Sequence, residues 1–265
     1  PDSNGVIHYS QEEQDIWRDL YQRQLPSTQK YAAQACLNGM EMLSLPDNRI
    51  PQCDEISQVL MPLTGWRVEP VPALIGFGRF FKMLSEKTFP AASFIRSRAD
   101  FDYIEEPDIF HDIQGHIPFL MNNKYAEFMY QIGILGYDII KDERGLGADL
   151  VHHNLQRLQN FAWWTYEYGL LKNKGKTDIY RRVKNDIEFE IYGAGIISSF
   201  DEVKNVIDCS KKESRRSRFL SYDIEEMALT CFDYSEIQDR YYVIDSMDFL
   251  YDSFKKNKEL FYFEG

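Results

Sequence analysis

Twelve residues constrain this chain more than any other stretch: Pro107-Asp-Ile-Phe-His111-Asp-Ile-Gln-Gly-His116-Ile-Pro118, which sets two of its five histidines five positions apart. Imidazole is the commonest neutral side-chain metal ligand, and two on one short segment can grip one ion. Metal-binding helices usually present histidines at i, i+4 on one face. At i, i+5 the two would stand about 140° apart on a regular helix. A shared ion therefore requires a distorted helix or one ligand at an irregular end, and Gly115 and Pro118 provide the means. Two unrelated histidines on one helix are the plain alternative, so spacing by itself leaves the metal open.

The rest of the composition narrows the class. With 265 residues, 44% of them hydrophobic and 15% aromatic, the chain can bury a substantial, ring-rich core within one domain. A net charge of −12 argues against nucleic acid and against anionic membranes, both of which recruit basic surfaces. No apolar run approaches the ~20 residues of a spanning helix, and the start lacks a signal-peptide pattern. Cys36, Cys53, Cys209 and Cys231 form no CxxC pair and read as reduced thiols of a cytoplasmic protein.

Periodicity predicts a mainly α, α+β domain with a few short strands. Ser10-Gln-Glu-Glu13 has the form of a capping box, opening a helix that should stop near Pro26. Further helices are expected over 27–45, from Asp54 to before Gly65, over 77–87, 122–140, 149–172 and 245–259. Strands or extended segments are expected at 66–71, 92–96 and 187–191, with loops at 141–148 and 173–178. The basic run from Lys211 to Arg218 reads as a solvated loop.

Two histidines need another ligand to hold a catalytic ion. In Asn160-Phe-Ala-Trp-Trp-Thr-Tyr-Glu167-Tyr-Gly169, Glu167 is the one acid in an aromatic stretch of the longest helical pattern. A carboxylate there is costly to bury unless paired or metal-bound; otherwise it would face water. His152 and His153 lie about four turns earlier, too far along the helix to share an ion with Glu167. With His8 they read as surface or outer residues. Two imidazoles and one carboxylate form the face that leaves Fe(II) positions open, although the same set also serves catalytic zinc in hydrolases.

The 107–118 stretch, the Glu167 stretch, Tyr192-Gly-Ala-Gly-Ile-Ile-Ser-Ser199, Thr64-Gly-Trp-Arg-Val-Glu-Pro-Val71 and Tyr241-Tyr-Val243 together resemble the pterin-dependent aromatic amino acid hydroxylases, in order, from about residue 60 to 255. The resemblance implies a basket-like helical catalytic domain, one mononuclear non-haem Fe(II), O2 and a tetrahydropterin cosubstrate. It implies His111, His116 and Glu167 as iron ligands. Ile75, Phe77, Phe80 and Asp112 fall at pterin-contacting positions, with aspartate where animal members carry glutamate. Arg96, Tyr103, Pro107, Trp163, Tyr168 and Ser198 fall at substrate positions, Arg96 for the carboxylate. The stretches 141–150 and 172–186 look longer than the family pattern.

Within the family, tryptophan at 163 and tyrosine, not aspartate, at 234 imply a phenylalanine 4-monooxygenase of the short bacterial type, forming tyrosine. A tryptophan hydroxylase is the alternative inside the family, a zinc hydrolase outside it. The expectation is one catalytic domain over 1–265, with no regulatory domain and no C-terminal coiled-coil tetramerisation segment. Its partners would be small molecules only, and it would be a monomer or small homo-oligomer.

Overall fold

The structure, a computed structural model, describes residues 6–102, 104–173 and 185–265. The capping box at the first helix, α1 (Gln11–Tyr31), is complete: the Glu13 N–H donates to Ser10 Oγ at 3.3 Å and the Ser10 N–H to Glu13 Oε2 at 2.6 Å. Contrary to the sequence expectation, α1 does not stop at Pro26. The proline ring lies on the exposed side, where water can replace the missing helical bond. Ile16, Leu20, Gln24, Thr28 and Tyr31 meanwhile continue one buried face. The break comes at Ala32 and Ala33, because the Ala33 N–H leaves the helical ladder and donates to the Ile191 carbonyl at 2.7 Å.

After α2 (Gln34–Leu43) and α3 (Cys53–Thr64), whose first residue is preceded by a Gln52 cap rather than by Asp54, strand β1 (Arg67–Val71) pairs in parallel with β2 (Thr88–Ala92) around α4 (Phe77–Ser85). The extended segment expected at 92–96 thus begins earlier, at Thr88. A π-helical turn, His111–His116, leads into α5 (Ile117–Leu120), followed by α6 (Asn123–Lys141) and α7 (Ala148–Ala162). A second π-helical turn, Trp163–Glu167, ends α7. Leu170–Lys172, expected to prolong that helix, is instead strand β3, because its backbone is claimed on both sides by β4 (Phe189–Ile191) and β6 (Arg240–Ile244). The sheet order is β4-β3-β6-β5, with β5 (Arg218–Ser221) parallel to β6. Helices α8 (Ala194–Ile197), α9 (Phe200–Ser210), α10 (Ile224–Leu229) and α11 (Met247–Lys256) complete a mainly helical α+β fold. Part of the 172–186 stretch lies outside the described residues.

One hydrophobic core runs from α1 to Phe261 near the end of the chain. Its hub under the site is Phe161, fully buried on the last turn of α7 and in ring contact with Phe128, Tyr222, Phe254 and Phe261. The chain end is tied back to the same helix: Arg157 Nη2 donates to the Leu260 carbonyl at 2.7 Å and the Phe263 N–H to Asn154 Oδ1 at 2.9 Å. The four cysteines are free, three of them buried. No helix among the described residues is long and apolar enough to cross a membrane. Removing the hub ring leaves a cavity the helices cannot close. Phe161→Ala is expected to cost about 3–5 kcal/mol in denaturant unfolding, with an unchanged m-value.

Candidate metal centre

Both candidate ligand segments are π-helical, and local chemistry explains why. Pro118 has no N–H to return to the carbonyl four residues back, so the α-helical ladder is interrupted just past His116. At the second turn the Thr165 hydroxyl donates to the Phe161 carbonyl at 2.8 Å and to the Ala162 carbonyl at 3.1 Å, occupying acceptors of the ordinary ladder. The Tyr168 N–H then bonds five residues back, to Trp163 O at 2.9 Å. A widened turn brings positions i and i+5 towards one side. His111 and His116 accordingly stand with ring centroids 5.2 Å apart. Between the two turns runs the start of α8. A Cβ on Gly193 would lie 2.4 Å from the Glu167 carbonyl oxygen, so this approach requires glycine.

The three side chains converge. Their ligand atoms all lie within 4.8 Å of one another. Glu167 Oε1 is 3.1 Å from His116 Nε2, and Oε2 is 3.5 Å from His111 Nε2. Neighbouring ligands about 2 Å from one ion stand about 3 Å apart, so the set fits a shared metal. The opposite ring nitrogens are already taken. Ser198 gives its hydroxyl proton to the Ala194 carbonyl at 2.8 Å, so its oxygen accepts from His111 Nδ1–H at 2.8 Å, which leaves the Nε2 lone pair for an ion. Tyr125 OH lies 3.4 Å from His116 Nδ1.

Burial pushes His111 down to about 4, against the pull of Glu167, so its imidazole is neutral as a ligand must be. For His116 burial acts the same way but is outweighed by the charge and hydrogen bond of Glu167, and its pKa is raised. Burial would raise Glu167; the two imidazoles overcome it and hold the carboxylate below its ordinary value. Among the described residues His8, His152 and His153 are exposed and take no part.

Asp108, which sequence reasoning passed over, organises the adjoining wall. Fully buried, it takes Arg96 in a two-pronged ion pair, Nε to Oδ2 at 2.8 Å and Nη2 to Oδ1 at 2.9 Å, and accepts the Arg96 and His111 N–H groups at 3.0 Å each. One carboxylate therefore fixes both the arginine and the first ligand's helix. Its position at the helix mouth, three residues before His111, was the signal available. Pro107 is half-buried beside it, and Tyr103 lies outside the described residues.

Trp163 is stacked on Phe232, centroids 4.1 Å apart and planes 11° apart, and on Tyr168 at 4.6 Å. Its indole N–H donates to Gln238 Oε1 at 3.2 Å. The Gln238 backbone N–H in turn donates to buried Glu202, which is also hydrogen-bonded to Tyr241 and which burial raises to about 7. Phe232 and Gln238 were invisible to periodicity because they belong to an irregular loop. Tyr234 in that loop is 56% exposed.

At the positions of implied pterin contact, Phe77 is exposed while Ile75 and Phe80 are half-buried, at the start of α4. Asp112 is buried, and its Oδ2 accepts the Ala92 N–H at 2.6 Å, joining β2 to the first π-helical turn; burial raises it to about 7. Because Ser198 orients His111 without touching an ion, Ser198→Ala is expected to weaken Fe(II) affinity about 10–100-fold while the fold stays intact, as read by metal titration.

Comparison with known proteins agrees with this geometry. Residues 2–261 match the biopterin-dependent aromatic amino acid hydroxylase family. A phenylalanine-4-hydroxylase of Pseudomonas aeruginosa is 45% identical over 199 residues, covering 75% of this chain and 67% of that protein. One from Vibrio cholerae is 38% identical over 248 residues, 94% of this chain and 76% of that protein. The crystal structure of Chromobacterium violaceum phenylalanine hydroxylase with bound oxidised Fe(III) superposes with a TM-score of 0.82 at 30% identity, covering 98% of this chain and 87% of that one. The chain belongs to the biopterin-dependent aromatic amino acid hydroxylases, a family of pterin-using monooxygenases, and His111, His116 and Glu167 form a group that could hold a metal ion.

Proposed function

We propose that this protein is a phenylalanine 4-monooxygenase, converting L-phenylalanine to L-tyrosine with O2 and a tetrahydropterin. The observation that carries the reading is the partly buried face of two Nε2 atoms and one carboxylate, with the His111 Nδ1 held by Ser198 beside it. This donor set suits a non-haem Fe(II) that keeps open positions. His111, His116 and Glu167 would hold the iron, which together with a reduced pterin as two-electron donor would supply the activation of O2, one oxygen atom going to the para carbon and the other to water.

The chain's own residues bind and orient. Arg96 spends two donors on Asp108 and keeps Nη1 for the substrate carboxylate, with Ser198 close by. Trp163, held between Phe232 and Tyr168, provides a rigid wall for the substrate ring, and a ring held in one pose presents one carbon to the metal face. Pro107 would line the remaining substrate side, and the family resemblance adds Tyr103 to the substrate positions. Ile75, Phe77, Phe80 and Asp112 would receive the flat pterin. The continuous core supports a single catalytic domain, and the acidic charge supports small molecules rather than nucleic acid as partners. A cytoplasmic monomer or small homo-oligomer completes the reading.

Anaerobic reconstitution with Fe(II), then tetrahydropterin and each aromatic amino acid under O2, tests the assignment. Tyrosine from phenylalanine is the expected product, and hydroxytryptophan as the main product would replace it. Glu167→Ala is expected to lose bound iron and at least 1,000-fold in kcat together, since the open face needs all three ligands; full iron and turnover would refute the triad. Arg96→Ala strands the Asp108 charge and is expected to cost roughly 3–5 kcal/mol of stability. Arg96→Lys keeps the charge without the fork; it should raise the phenylalanine KM at least tenfold with iron retained.

A further inference from the structure

We infer that Gln24 of α1 accepts a hydrogen bond from the substrate's α-ammonium group, an assignment that rests on the phenylalanine reading above. Gln24 is 2% exposed, deep on the buried face of the helix. Its Nε2 donates to the Ile197 carbonyl at 2.8 Å, one residue before Ser198. That bond identifies the ends of the amide: the reverse orientation would press two oxygens together. The other end, Oε1, is buried with no hydrogen-bond partner.

The surroundings say what the missing partner is. Gln24 lines a crevice of about 10 Å³ together with Arg23, Arg96, Ser198 and Phe200. An acceptor left unpaired in such a place is destabilising, and a donor from a ligand would relieve it. The crevice already holds a donor for an anion, the Arg96 guanidinium, whose Nη1 is not used by Asp108. Arg23 and the Asp102 carboxylate, which also lines the crevice, satisfy each other as an ion pair at its outer side, and Arg23 lies 4.3 Å over the Phe200 ring. A buried guanidinium beside a buried lone acceptor is complementary to a zwitterion, in which one carbon separates carboxylate from ammonium. An ammonium group is the size of a water molecule, which matches the space. A neutral amide suits the task, because a carboxylate at position 24 would compete for Arg96. The recognition this adds is for the free amino group, independent of the ring.

The test compares L-phenylalanine with 3-phenylpropanoate, which lacks only the ammonium, as ligands of the iron-loaded enzyme. Wild-type protein should bind 3-phenylpropanoate about tenfold or more weakly than phenylalanine, the scale of one hydrogen bond to a charged group. Gln24→Met, similar in length, should raise the phenylalanine KM about tenfold, leave the 3-phenylpropanoate Ki unchanged, and alter neither iron content nor the pterin KM. Equal losses for both ligands would make Gln24 a mere shaper of the crevice and overturn the inference. So would equal binding of the two by wild-type protein, a result that needs no variant to fold. Failure of the underlying reading looks different: iron- and pterin-loaded wild type would then convert no phenylalanine at all.

Discussion

Two widened helical turns carry the three candidate metal ligands, and the surrounding architecture serves to hold them opposed. A regular helix through 111–116 would point the imidazoles apart. A regular continuation of α7 would likewise rotate Glu167 away from its present direction. In each case the i→i−4 ladder is weakened chemically, by a proline without an N–H after the first turn and by a back-bonding threonine in the second. π-helical turns are unfavourable alone and persist when packing over-determines them. Here α8 lies against both, Phe161 anchors the base of the second, and Trp17 packs edge-on against Phe110 at the base of the first.

Three carboxylates near this centre, Asp108 and Asp112 buried and Glu167 partly so, have different compensations, and their roles follow. Asp108 is charged, satisfied by a guanidinium fork and two backbone N–H groups, and acts as a structural peg. Glu167 is charged through its two imidazoles, the same partners that a metal would organise. Asp112 has one backbone donor at 2.6 Å, too little to offset burial, and its pKa rises to about 7. A fourth, Glu202, lies one step behind the tryptophan wall and rises for the same reason. The charge state of each acid is set by counted donors, not by its residue type.

Much of the site was legible before the fold because its residues are chemically out of place in sequence. Two histidines among aspartates, and one glutamate in an aromatic run, announce themselves on any pattern. Asp108, Phe232, Gln238 and Gln24 do not. Each is an ordinary residue whose importance comes from a partner 12 to 173 positions away. Misplaced boundaries have the same origin. Pro26 is a reliable helix breaker locally, yet α1 passes it because its ring meets water. Leu170 and Leu171 continue a helical pattern, yet β4 and β6 claim their backbone.

By itself the amino-acid sequence determined the mainly helical fold class, through its periodicity, while the candidate ligands His111, His116 and Glu167 and the proposed substrate-side tryptophan at 163 came from ordered motifs that resemble a known family. Tertiary structure decided the rest: which nitrogen of His111 is free, where the Arg96 fork is spent, and how both helices unwind by one residue to make i and i+5 neighbours. Those outcomes depend on donors and acceptors meeting across the fold, and no local stretch of sequence contains both members of such a pair.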